Sequence, residues 1–149
     1  MIRAVLFLAL ATPAAAQDSP LDRPQALQEL LDYHQSACAL QGGALAIADD
    51  AVTPAYLMGP EAPAAILDSR KLSCSSAPAM FCAADIGCEL NVFQGEAQHS
   101  LIVRDWSLVA DDDRQVLQVT IAGELVNQPQ DMTYRMTWDP AKAALVTLD

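Results

Sequence analysis

Apolar positions near the start of the chain recur with the spacing of an α-helix. The members of this stripe are Leu27, Leu30, Leu31, His34 and Cys38. Asp22 is placed to cap the start of the helix, with Gln25 as its capping-box partner and Pro24 tolerated in the first turn. Gly42 and Gly43 end the pattern, because glycine readily adopts the left-handed conformation that follows a helix. The sequence therefore predicts one amphipathic helix between Asp22 and Gly42.

Beyond the glycine pair the apolar positions alternate with a period of two, which is typical of β-strands. Strands are expected over residues 44–48, 64–72, 88–94, 101–109, 116–122, 132–138 and 143–148. Residues 49–63 and 75–87 are expected to be mostly loop, whereas residues 110–114 and 139–142 are expected to form turns. The sequence thus predicts an α+β fold, with the N-terminal amphipathic helix packed on one face of an antiparallel sheet of about five or six strands.

The first 16 residues have the pattern of a secretory signal peptide. Arg3 supplies the positive charge, residues 4–11 form a short apolar run, and residues 14–16 match the small-residue cleavage pattern. A membrane anchor would need about 20 apolar residues, and this run has about eight. We therefore expect a signal peptide over residues 1–16, cleaved near Ala16, and a single disulfide-stapled domain over residues 17–149. The mature protein is expected to be periplasmic or secreted, with no transmembrane segment.

The charge balance is strongly acidic and excludes one large class of function. The chain has 8 Lys and Arg residues against 19 Asp and Glu, which gives a formal net charge of −11. The signal segment holds one arginine and no acid, so its removal changes the net charge to −12. Such a surface repels phosphates, so no nucleic-acid partner is expected, whereas a cationic protein partner would be attracted. The hydrophobic content of 52% and the length of 149 residues indicate one globular domain.

All four cysteines, Cys38, Cys74, Cys82 and Cys88, follow the signal segment. An even number of cysteines in an exported chain predicts two structural disulfides. The chain has no CxxC pair, which argues against a zinc site and against a redox-active dithiol. Of the three possible pairings we prefer Cys82–Cys88 with Cys38–Cys74, and Cys74–Cys82 with Cys38–Cys88 is a close alternative.

Candidate catalytic groups are few. His34 lies on the apolar stripe of the helix, where a packed histidine is more common than a catalytic one, and His99 lies in a polar stretch and is expected to be solvated. The chain has no GxSxG or HExxH motif. Three consecutive acids at residues 111–113 lack the alternation of a calcium loop. We therefore assign no catalytic residue, no metal ligand and no cofactor.

One expected strand carries large apolar side chains at alternate positions, all facing one way. These side chains are Met132, Tyr134, Met136 and Trp138. Most stripes of this kind belong to a core, but the stripe would line a partner or ligand groove if the second face of the sheet were uncovered. We therefore keep it as a possible binding stripe.

Several segments together carry a family resemblance. They are Ile66-Leu67-Asp68, Cys74, Met80-Phe81-Cys82, residues 87–93 (GCELNVF) and Trp138-Asp139. Over residues 36–140 they resemble a family of exported alphaproteobacterial proteins with a Cys…FCxxxxGC cysteine framework. The resemblance implies the cysteine framework and the fold, and it implies no activity. Residues 56–61 lack the Asp/Asn/Gly-rich loop that suggests a cation in related sequences, so no metal site is carried over. The chain also lacks the second, later cysteine pair that related sequences often have.

These observations lead to three hypotheses of function. The first is a non-catalytic binding or interaction module of the cell envelope, which fits an exported, acidic, disulfide-stapled chain without an assembled catalytic motif. The second is a small periplasmic hydrolase that uses His34 or His99 with a carboxylate. A variant of the first is an inhibitor of a basic envelope-degrading enzyme, similar to a lysozyme inhibitor, because a net charge of −12 would steer a cationic partner. The third is a structural or assembly role, in which the stripe from Met132 to Trp138 fills an interface. An enzyme is less favoured than a binding protein.

Overall fold

The structure is a computed structural model that describes residues 23–148, so the expected signal peptide and the expected cap at Asp22 lie outside the described residues. One α-helix, α1, spans Gln25–Leu40. The strands that follow it are β1 Leu45–Ile47, β2 Val52–Ala55, β3 Ala64–Asp68, β4 Leu72–Cys74, β5 Cys82–Ala83, β6 Gly87–Gln94, β7 Ala97–Val103, β8 Asp105–Asp111, β9 Arg114–Ile121, β10 Met132–Asp139 and β11 Ala144–Thr147. Two 3-10 turns lie at Ser69–Lys71 and Gly123–Val126.

These strands form two main antiparallel sheets and one short ribbon. In the first sheet, of five strands, β3 lies between β2 and β6, and β6 also pairs with β5 and β7. The second sheet has four strands in the order β11-β10-β9-β8. The ribbon consists of β1 and β4. Because α1 covers one face of the first sheet and the second sheet covers its other face, the first sheet is the middle of three layers.

The prediction of a single sheet of five or six strands is wrong, because the described chain is mainly β with one helix and several antiparallel sheets. The expected strand over residues 101–109 is divided at Arg104, so that β7 belongs to the first sheet and β8 to the second. The backbone N–H of Arg104 donates to the carbonyl of Thr120 at 2.8 Å, which begins the pairing of the second sheet. The chain crosses here because the face of the first sheet that the helix leaves open is also apolar and needs a second layer.

Two strands lie where the sequence predicts loop. The first is β2, which contains Pro54 and pairs only with β3, so the missing N–H costs no hydrogen bond at this sheet edge. The second is β5, whose pairing aligns Cys82 with Cys88. The expected strand over residues 64–72 is also shorter, since it ends at Asp68 and a 3-10 turn separates it from β4. The helix and the strands expected over residues 44–48, 88–94, 116–122, 132–138 and 143–148 are confirmed within a few residues.

Two apolar clusters hold the three layers together. The larger lies between the two sheets and includes Leu90 and Val92 of β6 opposite Met136 and Trp138 of β10. The smaller lies between α1 and the first sheet, where Leu27 packs with Phe93, and both side chains are fully buried. Successive residues of β6 therefore point to opposite layers, which is the alternation expected of a strand that is covered on both faces.

The two disulfides are confirmed, with the preferred pairing. Cys38, near the end of α1, is bonded to Cys74 at the end of β4. Cys82 is bonded to Cys88 across the loop that joins β5 and β6. The first bridge therefore fastens the helix to the sheet, whereas the second closes a short loop at the start of β6.

The start of α1 is capped by a residue that the sequence analysis does not identify. Pro24 is the residue before the first turn and its side chain makes no capping hydrogen bond. The carboxylate of Glu96, in the turn between β6 and β7, accepts hydrogen bonds from the backbone N–H groups of Gln25 at 3.1 Å and Ala26 at 3.0 Å. A carboxylate at a helix N-terminus satisfies free N–H groups and interacts favourably with the helix dipole. A residue distant in sequence thus caps the first turn of α1.

A buried carboxylate links the first sheet to the second. The side chain of Asp68, only 2% exposed, accepts hydrogen bonds from Nε of Arg70 at 3.0 Å and from Nε1 of Trp106, on β8, at 2.9 Å. Arg70 also contacts the exposed carboxylate of Asp105 at 2.9 Å. Burial alone would raise the pKa of Asp68, but the hydrogen bonds from Arg70 and Trp106 outweigh it, so the pKa is lowered and the carboxylate is ionised at neutral pH.

Candidate functional site

A groove of about 570 Å³ lies between α1 and the start of β6, and we call it the α1–β6 groove. The helix contributes Tyr33, His34 and Ala37 to its wall. The segment before β6 and the first sheet contribute the remaining lining residues, which are Ala79, Met80, Phe81, Cys82, Ala83, Ile86, Gly87, Glu89 and Ile102. The groove is thus mostly apolar, with an imidazole and one carboxylate among its side chains, a composition typical of small-ligand sites.

The helical side of the groove follows from the spacing of residues along α1. Tyr33 and Ala37 are one helical turn apart and therefore lie on the same side of the helix. His34, next to them, points toward the sheet and is only 6% exposed, with its ring edge-on to that of Phe81 at a centroid distance of 4.9 Å. Tyr33 is 67% exposed and forms the outer rim.

The sheet side of the groove follows from the alternation of β6 and its pairing with β7. Glu89 lies on the same face of β6 as Phe93, which packs under the helix, and its pairing partner Ile102 lies beside it on β7. Gly87 begins β6 with φ of 129°, and a Cβ at this position would collide with the carbonyl oxygen of Val103. Glycine therefore allows β6 to approach β7 closely at the floor of the groove.

Two polar side chains of the groove have no protein partner within residues 23–148. Nε2 of His34 is buried and makes no hydrogen bond. The half-buried Glu89 carboxylate forms no ion pair with a described lysine or arginine, and it lies more than 4.0 Å from the imidazole nitrogens. Burial lowers the pKa of His34, and the nearby negative charge of Glu89 opposes this shift only in part. The imidazole is therefore neutral at neutral pH, and it leaves the carboxylate as the charged group of the groove.

The described lining of the groove offers few groups for covalent chemistry. The described lining contains no serine or threonine, so Tyr33 supplies its hydroxyl group. The lining cysteine, Cys82, is held in a disulfide and therefore offers no free thiol. Within residues 23–148 no three His, Cys, Asp or Glu side chains converge as metal ligands would. The side chains that are present can surround an apolar body and accept a hydrogen bond or a positive charge.

The second histidine lies apart from the first. His99 is in β7, opposite Val92 of β6, and so it faces the second sheet, whereas His34 lies over the opposite face of the first sheet. The sequence predicts a solvated polar stretch around His99, but these residues form part of β7. The side chain of His99 is half-buried. The structure does not bring the two histidines into one site.

The stripe on β10 lies mainly inside the protein. Met136 and Trp138 belong to the core between the sheets, and Tyr134 packs against it. Met132 is the most accessible member at 36% exposed. The stripe packs against the face of the first sheet that α1 leaves open. It is therefore mostly part of the core, and Met132 at its end is the member most accessible to a partner.

Glu89, the carboxylate of the groove, is not identified by any motif in the sequence. The sequence feature that could have indicated Glu89 is its position on β6. Residues 89, 91 and 93 face the helix, and the first two of them are polar. Asn91 is fully buried and accepts hydrogen bonds from Gln98 at 2.8 Å and Ser100 at 2.5 Å. A polar pair on a face that packs under a helix departs from the apolar pattern of a buried strand and can mark a site.

A second groove, of about 710 Å³, lies between the start of α1 and the edge strand β2. Its lining consists mainly of aliphatic and proline side chains, including Leu31, Val52 and Pro54, and it is bordered by Arg23, the first described residue. It contains no buried polar side chain that lacks a partner. We therefore take the α1–β6 groove as the candidate site.

Comparisons with known proteins give no match for this chain, whether among protein-family models, curated proteins or solved structures. Among residues 23–148, no helix has both the length and the apolar character needed to cross a bilayer.

Proposed function

We propose that this chain is an exported, non-catalytic binding module of the cell envelope, and that the α1–β6 groove is its ligand site. Export is supported by the signal-like pattern of residues 1–16 and by two disulfides, which persist mainly in oxidising compartments such as the periplasm. The resemblance to exported alphaproteobacterial proteins with a Cys…FCxxxxGC framework agrees with this location.

The observation that carries the proposed site is the pair of unpartnered polar groups in an otherwise apolar groove. A buried nitrogen such as Nε2 of His34 costs free energy when it has no hydrogen-bond partner, and the half-buried carboxylate of Glu89 has no counter-charge among the described residues. Such costs are tolerated where a ligand supplies the missing contacts. The Cys82–Cys88 bridge supports the same role because it holds the groove wall in place before a ligand arrives.

A hydrolase is the less favoured function. His34 and Glu89 line one groove, as a general base and a carboxylate would, but they form no ion pair, and Nε2 of His34 has no hydrogen-bond partner that it could activate as a nucleophile. His99 lies over the opposite face of the sheet. Binding therefore requires fewer unobserved features than catalysis.

The proposal predicts that small molecules bind in the α1–β6 groove and that filling the groove prevents this. A fragment library balanced between cationic, neutral and anionic compounds would be screened by changes in amide chemical shifts. We expect hits to perturb the amides of residues such as Tyr33, Ile86 and Ile102, which line the groove. Ala37→Trp should abolish these perturbations, because the indole would occupy the groove from the helical side.

Ala39→Trp is the matched control, since Ala39 is exposed on the same helix and does not line the groove. This variant should bind the same fragments as the wild-type protein. The proposal is contradicted if no fragment perturbs the groove amides, or if Ala37→Trp and Ala39→Trp bind equally well.

A further inference from the structure

We infer that the ligand of the α1–β6 groove is a small organic cation, in which an ammonium or guanidinium group is attached to an apolar body. The inference rests on the proposed function and specifies the chemistry of its ligand. It follows from three features of the groove, which are an uncompensated carboxylate, a wall of aromatic and aliphatic side chains, and the absence of a positive side chain among the described lining residues.

The carboxylate of Glu89 is the charged group of the groove lining. It is half-buried and has no ion-pair partner within residues 23–148. A cationic ligand would supply the missing charge, and partial exclusion of water would strengthen the interaction relative to bulk solvent. An anionic ligand would be repelled by the same carboxylate, and a neutral ligand would leave the charge without a partner.

The wall around this carboxylate suits the apolar part of such a ligand. Phe81 and the exposed Tyr33 present aromatic rings to the groove, and aromatic faces attract cations as well as apolar groups. Met80, Ile86 and Ile102 add flexible and aliphatic contacts. The ligand can therefore bury its apolar body against these side chains while its positive group reaches Glu89.

The arginine that follows β7, Arg104, is engaged by acceptors other than Glu89. Arg104 directly follows β7, and its guanidinium contacts the carboxylate of Asp131 at 3.1 Å and the carbonyl of Asp85 at 2.5 Å. His34 is neutral at neutral pH because burial lowers its pKa, so it does not repel a cation. The overall net charge of −11 also favours the approach of a positive ligand.

The test compares two probes of nearly equal shape, 2-phenylethylamine and 2-phenylethanol, whose affinities for the full chain are measured by amide chemical-shift titration. We expect the amine to bind in the groove about tenfold more tightly than the alcohol, as one favourable charge contact would provide. Glu89→Gln should reduce the affinity for the amine to that for the alcohol. The matched control Glu61→Gln removes an exposed carboxylate outside the groove and should leave both affinities unchanged.

The outcomes separate this inference from the proposed function. If the alcohol binds the groove as tightly as the amine, or if Glu89→Gln and Glu61→Gln affect the amine equally, the ligand is not selected by its charge and the inference is overturned while the binding function stands. If neither probe nor any library fragment perturbs the groove amides, the proposed function itself is overturned. If Glu89→Gln binds the amine and the alcohol equally, while Glu61→Gln still prefers the amine, the result supports both the inference and the proposed function.

Discussion

Removal of the bridge between α1 and β4 is expected to lower the free energy of unfolding by about 4 kcal/mol, in the variant Cys38→Ala/Cys74→Ala. This bridge joins residues that are 36 positions apart, so it restricts a long loop in the unfolded chain. The measurement is guanidinium denaturation followed by circular dichroism.

The variant Cys82→Ala/Cys88→Ala provides the comparison. Its bridge spans 6 positions, so the same argument gives a smaller loss of about 2 kcal/mol. Equal losses in the two variants would contradict loop restriction as the main source of stabilisation.

Loss of the arginine that holds the buried carboxylate is the second large expected effect. Arg70→Gln leaves Asp68 with the indole N–H of Trp106 and the backbone N–H of residue 70 as its donors. We expect a loss of about 2 kcal/mol at neutral pH, less than for a fully buried pair because Arg70 itself is partly exposed. Arg114→Gln is the matched control, since the one ion pair of Arg114 within residues 23–148 is with the partly exposed carboxylate of Asp111 at 3.6 Å, and its effect should stay within about 0.5 kcal/mol.

The pH dependence of the same variant tests the electrostatic cause. In the wild-type protein the pKa of Asp68 is lowered, so its stabilising contribution is present above the ordinary carboxyl pKa and is lost as the pH falls through the lowered value. Without Arg70, the effect of burial should dominate and raise the pKa of Asp68. Acidification then protonates this carboxyl group and removes the free-energy cost of its buried charge. The stability difference between the two proteins should therefore shrink between about pH 7 and pH 3. A constant difference over this range would show that Arg70 acts through packing alone.

Elements set by local patterns are the ones that the sequence predicts well. The stripe from Leu27 to Cys38 predicts α1 because its period of 3.6 residues is repeated over three turns. The alternation from Met132 to Trp138 predicts β10 for the corresponding reason in a strand. The even number of cysteines, together with the signal-like start, predicts both disulfides.

Elements set by contacts distant in sequence are the ones that the sequence does not predict. Glu96 caps α1 from a turn some 70 residues later, so no local motif identifies it. Pro54 argues against a strand until the pairing shows that β2 lies at a sheet edge. At Arg104 a continuous apolar pattern is divided between two sheets, and the signal is limited to two adjacent charged residues, Arg104 and Asp105, which interrupt the alternation.

The candidate site was predictable only in part, for the same reason. His34 stands on the apolar stripe, and its burial against the sheet agrees with the packed position that the sequence predicts. The sequence does not place Glu89 near it, because the register of β6 under α1 depends on the tertiary packing. The groove therefore arises from the combination of a helix, a strand and a disulfide-closed loop, each of which is unremarkable alone.

The most direct test of the α1–β6 groove as the ligand site is the detection of intermolecular nuclear Overhauser effects with bound 2-phenylethylamine. We expect contacts from the phenyl protons to the methyl groups of Met80, Ile86 and Ile102, which line the groove. The methylene group next to the ammonium is predicted to lie near Glu89. Contacts that are instead confined to the second groove, or to the exposed end of the stripe at Met132, would show that the α1–β6 groove is not the ligand site.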